Sequence, residues 1–150
     1  MGALKYFLLK VDAKKRILFN PDESIELQGH PGPFIQYTHA RIKSLLSTAN
    51  FKHGTSGNYN SLEPVERDVI VLLTQFPAII KTAAESYSPA IVANYVYELA
   101  KTYNKFYQDT PILKVDDENV KQFRLQLSAA TAKAINRAMK LLGIEVPERM

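Results

Sequence analysis

The sequence predicts an all-α fold, a helical bundle of about five helices with an irregular N-terminal connecting segment. Long segments after residue 31 place apolar residues at helical spacing, and proline or capping residues stand where helices would begin. No segment alternates convincingly between polar and apolar residues, as a half-buried strand would. At 150 residues the chain has the usual size of one domain and should bury a single core.

The first 31 residues are predicted to form an irregular connecting segment that precedes the helical bundle. Residues 1–10 contain an apolar run that Lys5 interrupts, too short to cross a bilayer and without the cleavage pattern of a signal peptide. Residues 11–31 are rich in charge, Pro and Gly, with a possible short strand at 16–19 and a turn at 20–22. We therefore expect a connecting segment at 1–31 and the bundle at 32–150.

The bundle is expected to open with a helix from Pro33 to about Ala49, because proline fits the first helical turn. Residues 51–60 contain two glycines and several small polar groups, which predicts a mobile loop. A second helical region can be capped by Ser61. Because an interior proline lacks the helical N–H donor, Pro77 should kink or interrupt this region and leave two helical pieces.

Two long helices should complete the bundle. Ser88–Pro89 combines a capping hydroxyl with proline at the first helical position, and the pattern runs to about Tyr107. Asp116 or Asp117 can cap the last helix, and Gly143 should end it.

The composition is permissive for a polyanion partner. Lys and Arg number 19 against 15 Asp and Glu, a net charge of +4 that favours polyanions without requiring them. There is no cysteine, which excludes disulfides and thiolate metal sites and is compatible with a reducing cytoplasm. The histidines, His30, His39 and His53, show no metal-ligand spacing. We expect His30 and His53 in solvated loops and His39 in a supporting hydrogen bond.

Tyr37 and Arg41 are the strongest candidates for a binding surface. They lie four residues apart on a predicted helix and therefore side by side on one face. An aromatic ring beside a guanidinium suits stacking on a base and pairing with a phosphate. The alternative is that Tyr37 packs at a helix crossing while Arg41 caps a neighbouring helix.

Three segments resemble one known family. The run Gly-Pro-Phe-Ile-Gln-Tyr-Thr-His-Ala-Arg at 32–41 is followed by Tyr-Glu-Leu-Ala-Lys-Thr-Tyr-Asn-Lys-Phe-Tyr at 97–107. The chain ends Leu-Leu-Gly-Ile-Glu-Val-Pro-Glu-Arg-Met at 141–150. In this order they resemble the C-terminal anticodon-binding domain of arginyl-tRNA synthetases, which are class I aminoacyl-tRNA synthetases, and the resemblance covers nearly the whole chain.

The resemblance implies that the bundle receives a tRNA anticodon loop. The residues that match the family's binding surface are Tyr37, Arg41, Tyr103, Tyr107 and Met150, with Gln36 and Asn104 as weaker candidates. Core packing is the alternative for the two tyrosines of the second motif. The exposed amide of residue 36 could equally be a surface filler, and that of residue 104 could satisfy backbone carbonyls. The basic side chains of the last two helices are read mainly as a solvated face, with a minority touching phosphates of the anticodon stem.

The resemblance also defines what the chain should lack. The parent enzyme would attach arginine to its tRNA with ATP and magnesium, but its catalytic domain is absent, so no cofactor and no activity are expected here. The string 30–33, His-Pro-Gly-Pro, lacks the second histidine of the family's His-x-Gly-His signature. Met1 is expected to be the start of a cut fragment, and residues 1–31 a remnant of the connection to the absent catalytic domain.

The partners expected from the resemblance are an arginine tRNA and the catalytic domain of the same enzyme, in a cytoplasmic monomer without a membrane. A helical protein-interaction module or a general RNA-binding module remains the alternative function.

Overall fold

The structure is a computed structural model that describes residues 2–12, 15, 31–52 and 61–149. These residues form five α-helices and no strand. The helices are α1 (Gly2–Leu9), α2 (Pro31–Thr48), α3 (Pro64–Glu85), α4 (Pro89–Asp109) and α5 (Glu118–Leu141). The predicted all-α class is confirmed. The predicted strand and turn at 16–22 and most of the 51–60 loop lie outside the described residues.

The predicted ends of α4 and α5 match the structure closely. Pro89 is the first residue of α4, directly after Ser88. At the start of α5, Asp117 is the capping residue, and its carboxylate accepts from the backbone N–H of Asn119 at 2.8 Å. Gly143 follows the end of α5 with a φ of 67°, a left-handed conformation that glycine adopts at no steric cost.

The α3 helix differs from its prediction in two ways. It begins at Pro64 behind Glu63, so Ser61 does not cap it. It also continues through Pro77 as one helix instead of two pieces. Next to the proline, the rings of Phe76 and Tyr95 stack at 5.6 Å between centroids. Packing against α4 thus keeps both sides of Pro77 helical although the proline removes one helical hydrogen bond.

Helix α1 was not predicted from the sequence. Its Tyr6 is 1% exposed and donates its hydroxyl to the carbonyl oxygen of Ala93 in α4 at 2.7 Å. The helix approaches α2 closely at Gly32, where a Cβ would lie 3.1 Å from the Cβ of Tyr6. Eight residues are too few to form a stable helix in water, so tertiary packing holds α1.

The core lies where α4 and α5 pack on each other and on α2 and α3. One ion pair is buried within it. Arg124 Nε donates to Glu66 Oε1 at 2.7 Å, and the two side chains are 9% and 0% exposed. The other carboxylate oxygen accepts from the N–H of Glu63, while Arg124 Nη1 donates to the carbonyl of Pro111. This pair therefore joins the start of α3 to α5 and to the α4–α5 loop.

Candidate nucleic-acid interface

The predicted neighbours Tyr37 and Arg41 meet on the outer face of α2. Arg41 Nη2 donates to the hydroxyl of Tyr37 at 3.1 Å, and its Cζ lies 4.6 Å from the centre of that ring. Tyr37 is 47% exposed, so the ring does not pack at a helix crossing. The expected adjacency is confirmed, and neither residue takes the alternative position weighed from the sequence.

Tyr107 reaches the same place from α4. Arg41 Cζ lies 5.1 Å from the centre of the Tyr107 ring, so one guanidinium is in contact with two rings from two helices. Both distances are in the range where a cation is attracted to the face of an aromatic ring. The structure therefore brings together three of the predicted site residues, although 66 positions separate Arg41 from Tyr107 in the sequence.

Asn104, a buried residue of α4, accepts a hydrogen bond from the guanidinium of Arg41. Arg41 Nη1 donates to Asn104 Oδ1 at 2.6 Å. The amide nitrogen of Asn104 donates to Thr38 Oγ1 at 2.6 Å and to the carbonyl of Ala100 at 2.8 Å. Because a carbonyl oxygen can only accept, these bonds fix which end of the amide faces Arg41. Asn104 is 8% exposed and acts on the site through Arg41.

Tyr103, which was predicted to belong to the binding surface, is buried in the core. It is 0% exposed, and its hydroxyl donates to Ser128 Oγ at 3.0 Å. Burial raises the pKa of Tyr103, with smaller opposing effects from Ser128 and Arg41. A ring with no exposed surface cannot stack on a base in this conformation, and its core-packing alternative describes it. Tyr103 instead supports Tyr107, whose ring centre lies 6.4 Å away.

An open groove of about 970 Å³ runs from the Tyr37, Arg41 and Tyr107 cluster along the second half of α2. Its other walls are Leu113 from the α4–α5 loop and the C-terminal residues Glu148 and Arg149. Among its lining residues Arg41, Lys43 and Arg149 are cationic and Glu148 is anionic, which leaves a net positive charge. This volume lies at the upper end of the range of ligand-binding pockets, about 300–1,000 Å³.

The C-terminal segment lies against α1 and α2. Its alternate carbonyls, those of residues 143, 145 and 147, accept hydrogen bonds from Lys5 at 2.8 Å, Gln36 at 2.7 Å and His39 at 2.9 Å. Ile144, between the first two, is 3% exposed. Gln36 therefore holds the segment that forms one wall of the groove. Met150 lies outside the described residues.

His39 takes the supporting position that the sequence suggested. It is 3% exposed, and its Nδ1 must carry a proton, because the carbonyl of Pro147 can only accept. Burial lowers the pKa of His39, an effect that Lys43 adds to and that Pro147 and Glu148 oppose. A neutral imidazole therefore fastens the C-terminal segment to α2 near pH 7. His30 and His53 lie outside the described residues.

Several residues of the site were not identified from the sequence. Thr38 and Lys43 lie on the same helix as Tyr37, but neither matches a pattern that marks a site. Only the long-range contacts to Asn104 and Glu148 reveal their roles.

The basic residues of α5 do not line the groove. Lys133, Arg137 and Lys140 are exposed, which supports the solvated-face interpretation for them. That interpretation is wrong for Arg124, which is buried and paired with Glu66.

The described residues contain no group of three or more His, Cys, Asp or Glu arranged to hold a metal ion. Among the described helices, none is both long enough and apolar enough to cross a membrane.

Comparison with protein families shows which family the chain belongs to. The family described as "DALR anticodon binding domain" matches residues 35–150. The chain belongs to this family. The DALR match covers all the residues that line the groove and leaves out α1 and the first residues of α2.

Curated relatives of this DALR domain include arginine–tRNA ligases. Those of Flavobacterium psychrophilum and Bacteroides thetaiotaomicron are 50% and 51% identical over the whole chain. The chain spans about a quarter of the length of these relatives, 25% and 26% respectively.

Solved structures show the same relationship. The arginyl-tRNA synthetase of Thermus thermophilus matches 99% of the chain and 26% of its own, with a TM-score of 0.90 and 31% identity. A putative arginyl-tRNA synthetase from Campylobacter jejuni matches 99% of the chain and 33% of its own, with a TM-score of 0.85 and 25% identity.

Proposed function

We propose that this domain binds the anticodon loop of an arginine tRNA through Tyr37, Arg41 and Tyr107. The observation that carries the proposal is the guanidinium of Arg41, which contacts both rings at the edge of an open, positively charged groove. Unpaired bases of an RNA loop expose flat faces and polar edges. Rings can stack on those faces, and a guanidinium can bind a base edge or a phosphate.

The state of Arg41 favours this function. Among the described residues, no carboxylate lies within ion-pair distance of its guanidinium, which is held by the neutral partners Asn104 and Tyr37. Neutral partners fix the orientation of the group without cancelling its charge. The fixed cation is then available to a negatively charged ligand. Because the guanidinium is already held in place, the protein loses little conformational freedom when the ligand binds.

The proposal divides the predicted site residues into two groups. Tyr37, Arg41 and Tyr107 contact the RNA, while Asn104 and Tyr103 keep them in place. Gln36 acts through the C-terminal segment. Met150, at the end of that segment, stays a prediction for the RNA-contacting group.

In this proposal the parent protein is an arginine–tRNA ligase, and the DALR domain contributes recognition to it. The attachment of arginine with ATP and magnesium belongs to the catalytic domain outside this chain. We expect this chain to bind tRNA without catalysing that step. A cytoplasmic location and a monomeric state are part of the same proposal.

Titration with an RNA hairpin that carries the anticodon stem and loop of an arginine tRNA tests the proposal. Chemical-shift mapping should show saturable changes at Tyr37, Arg41 and Tyr107, with little change on α3. A hairpin altered at the central anticodon base should bind at least about tenfold more weakly, a difference of about 1.4 kcal/mol. Equal binding of the two hairpins would identify a general RNA-binding module, and binding of neither would contradict the proposal.

A further inference from the structure

Lys43 and Glu148 form an ion pair inside the groove. Lys43 Nζ lies 3.0 Å from Glu148 Oε1, and both residues line the groove with Arg149. The hydrogen bond from Lys43 lowers the pKa of Glu148, so the carboxylate is ionised at neutral pH. A cation that faces a proposed RNA groove thus already holds an anion supplied by the protein itself.

This ion pair is easy to exchange. The side chains are 38% and 76% exposed, and pairs in this setting contribute little to stability because water screens them. The C-terminal segment does not depend on it, because Lys5, Gln36 and His39 bind three backbone carbonyls of that segment. Glu148 could therefore leave Lys43 while residues 143–147 stay docked.

The surroundings of Lys43 suit a phosphate group. Ser47, an exposed residue one helical turn further along α2, lines the same groove. Arg149 adds a second cation on the opposite wall. A phosphate oxygen and a carboxylate oxygen are both anionic acceptors, and lysine binds either as a compact charge.

We propose that Lys43 is a binding site for a backbone phosphate of RNA, and that the Glu148 carboxylate occupies it until RNA displaces it. The inference rests on the proposed function and adds a subsite to it. The rings and Arg41 bind bases at one end of the groove, and Lys43 binds the sugar–phosphate chain beside them. Glu148 then competes with RNA, so its removal increases affinity.

The test compares two charge-removing variants of the C-terminal segment. Glu148→Gln should bind the anticodon hairpin about two- to fivefold more tightly at low salt, the change expected for one exposed ion pair. Glu145→Gln is the matched control, because its carboxylate is exposed on the same segment but does not line the groove. Gln36 binds only the backbone of residue 145, so this control leaves the docking intact.

The Lys43→Met variant shows whether the gain depends on the proposed site. In this background Glu148→Gln should increase affinity no more than Glu145→Gln does. Lys43→Met alone should also reduce the slope of log affinity against log salt by about 0.7, the change for one phosphate contact on a single strand. A gain that persists without Lys43 would overturn the proposal, because it would reflect net charge alone.

The remaining outcomes also decide the matter. Weaker binding by Glu148→Gln would show that the ion pair builds the groove wall, and equal binding by both Gln variants would show that no displacement occurs. If the wild type distinguishes the two anticodon hairpins but the variants do not show the expected changes in affinity, only the phosphate-site proposal is wrong. If the wild type binds no hairpin, both proposals are wrong.

Discussion

The guanidiniums of Arg124 and Arg41 each donate hydrogen bonds to two partners, but one is buried in the core and the other lies at the groove. The side chain of Arg124 is 9% exposed and paired with the carboxylate of Glu66. Arg41 is half-buried, bound to an amide and a phenol, and open to the groove. A buried guanidinium requires a counterion because desolvation is costly, whereas a guanidinium that faces a solvated groove can remain without one. The comparison separates an arginine that organises the core from one that is available to a ligand.

Removing the counterion of Arg124 should have the largest effect. Glu66→Gln leaves a buried charge unpaired and should lower the free energy of unfolding by about 3–5 kcal/mol. Thermal unfolding followed by circular dichroism should show this as a Tm about 10 °C lower. The control Glu98→Gln breaks an exposed pair with Lys101 and should change stability by less than about 1 kcal/mol.

Below its Tm, the Glu66→Gln protein should bind the anticodon hairpin as the wild type does. A specific loss of affinity in folded Glu66→Gln would contradict the division between the two arginines.

Arg41→Ala should show the reverse pattern. We expect the affinity for the anticodon hairpin to fall more than tenfold, or more than about 1.4 kcal/mol, with little change in Tm. Fluorescence anisotropy gives the affinity and circular dichroism the stability. Arg67→Ala, an exposed arginine of α3 that does not line the groove, is the matched control. A fall in Tm comparable to that of Glu66→Gln would place Arg41 among the core residues instead.

Two buried threonines can test whether the hydrogen bonds from Arg41 to Asn104 and from Asn104 to Thr38 support RNA binding by positioning Arg41. Thr38 and Thr131 are both 0% exposed and both donate to a carbonyl four residues earlier. Of these two threonines, Thr38 is the one that accepts a hydrogen bond from Asn104. Thr38→Val and Thr131→Val should therefore destabilise the fold similarly. Only Thr38→Val should weaken RNA binding, by about two- to fivefold for one hydrogen bond of about 1 kcal/mol.

In an Arg41→Ala background this effect of Thr38→Val on affinity should vanish, since there is no guanidinium left to position. Independent, additive effects of the two substitutions would remove Thr38 and Asn104 from the site.

The smallest expected effect concerns His39 and pH. Its pKa is lower in the folded protein than in the unfolded chain, because burial disfavours the charged ring. The stability it contributes is present above its ordinary pKa of about 6.5 and is lost as pH falls through the folded pKa. Between pH 7.5 and 5.5, Tm should therefore fall more in the wild type than in His39→Gln, which keeps a donor but does not titrate. The same fall in both proteins would contradict this assignment.

Local sequence signals predicted most of the fold. The proline and capping residues at Ser88–Pro89 and Asp117, and the glycine at 143, gave helix ends that the structure confirms. Those signals act within one helical turn, so they can be read without knowing the neighbours. Pro77 and α1 were misjudged for the opposite reason, since contacts with α4 hold both in helical form.

The sequence by itself determined that Tyr37 and Arg41 share a face, because helical periodicity places residues four apart side by side. Only the tertiary structure decided that Tyr107 completes the cluster, that Tyr103 is sealed in the core and that Gln36 fastens the C-terminal segment. The physical reason is range. Helix geometry is set by neighbouring residues, whereas the burial of one ring rather than the other depends on how α2, α4 and α5 pack together.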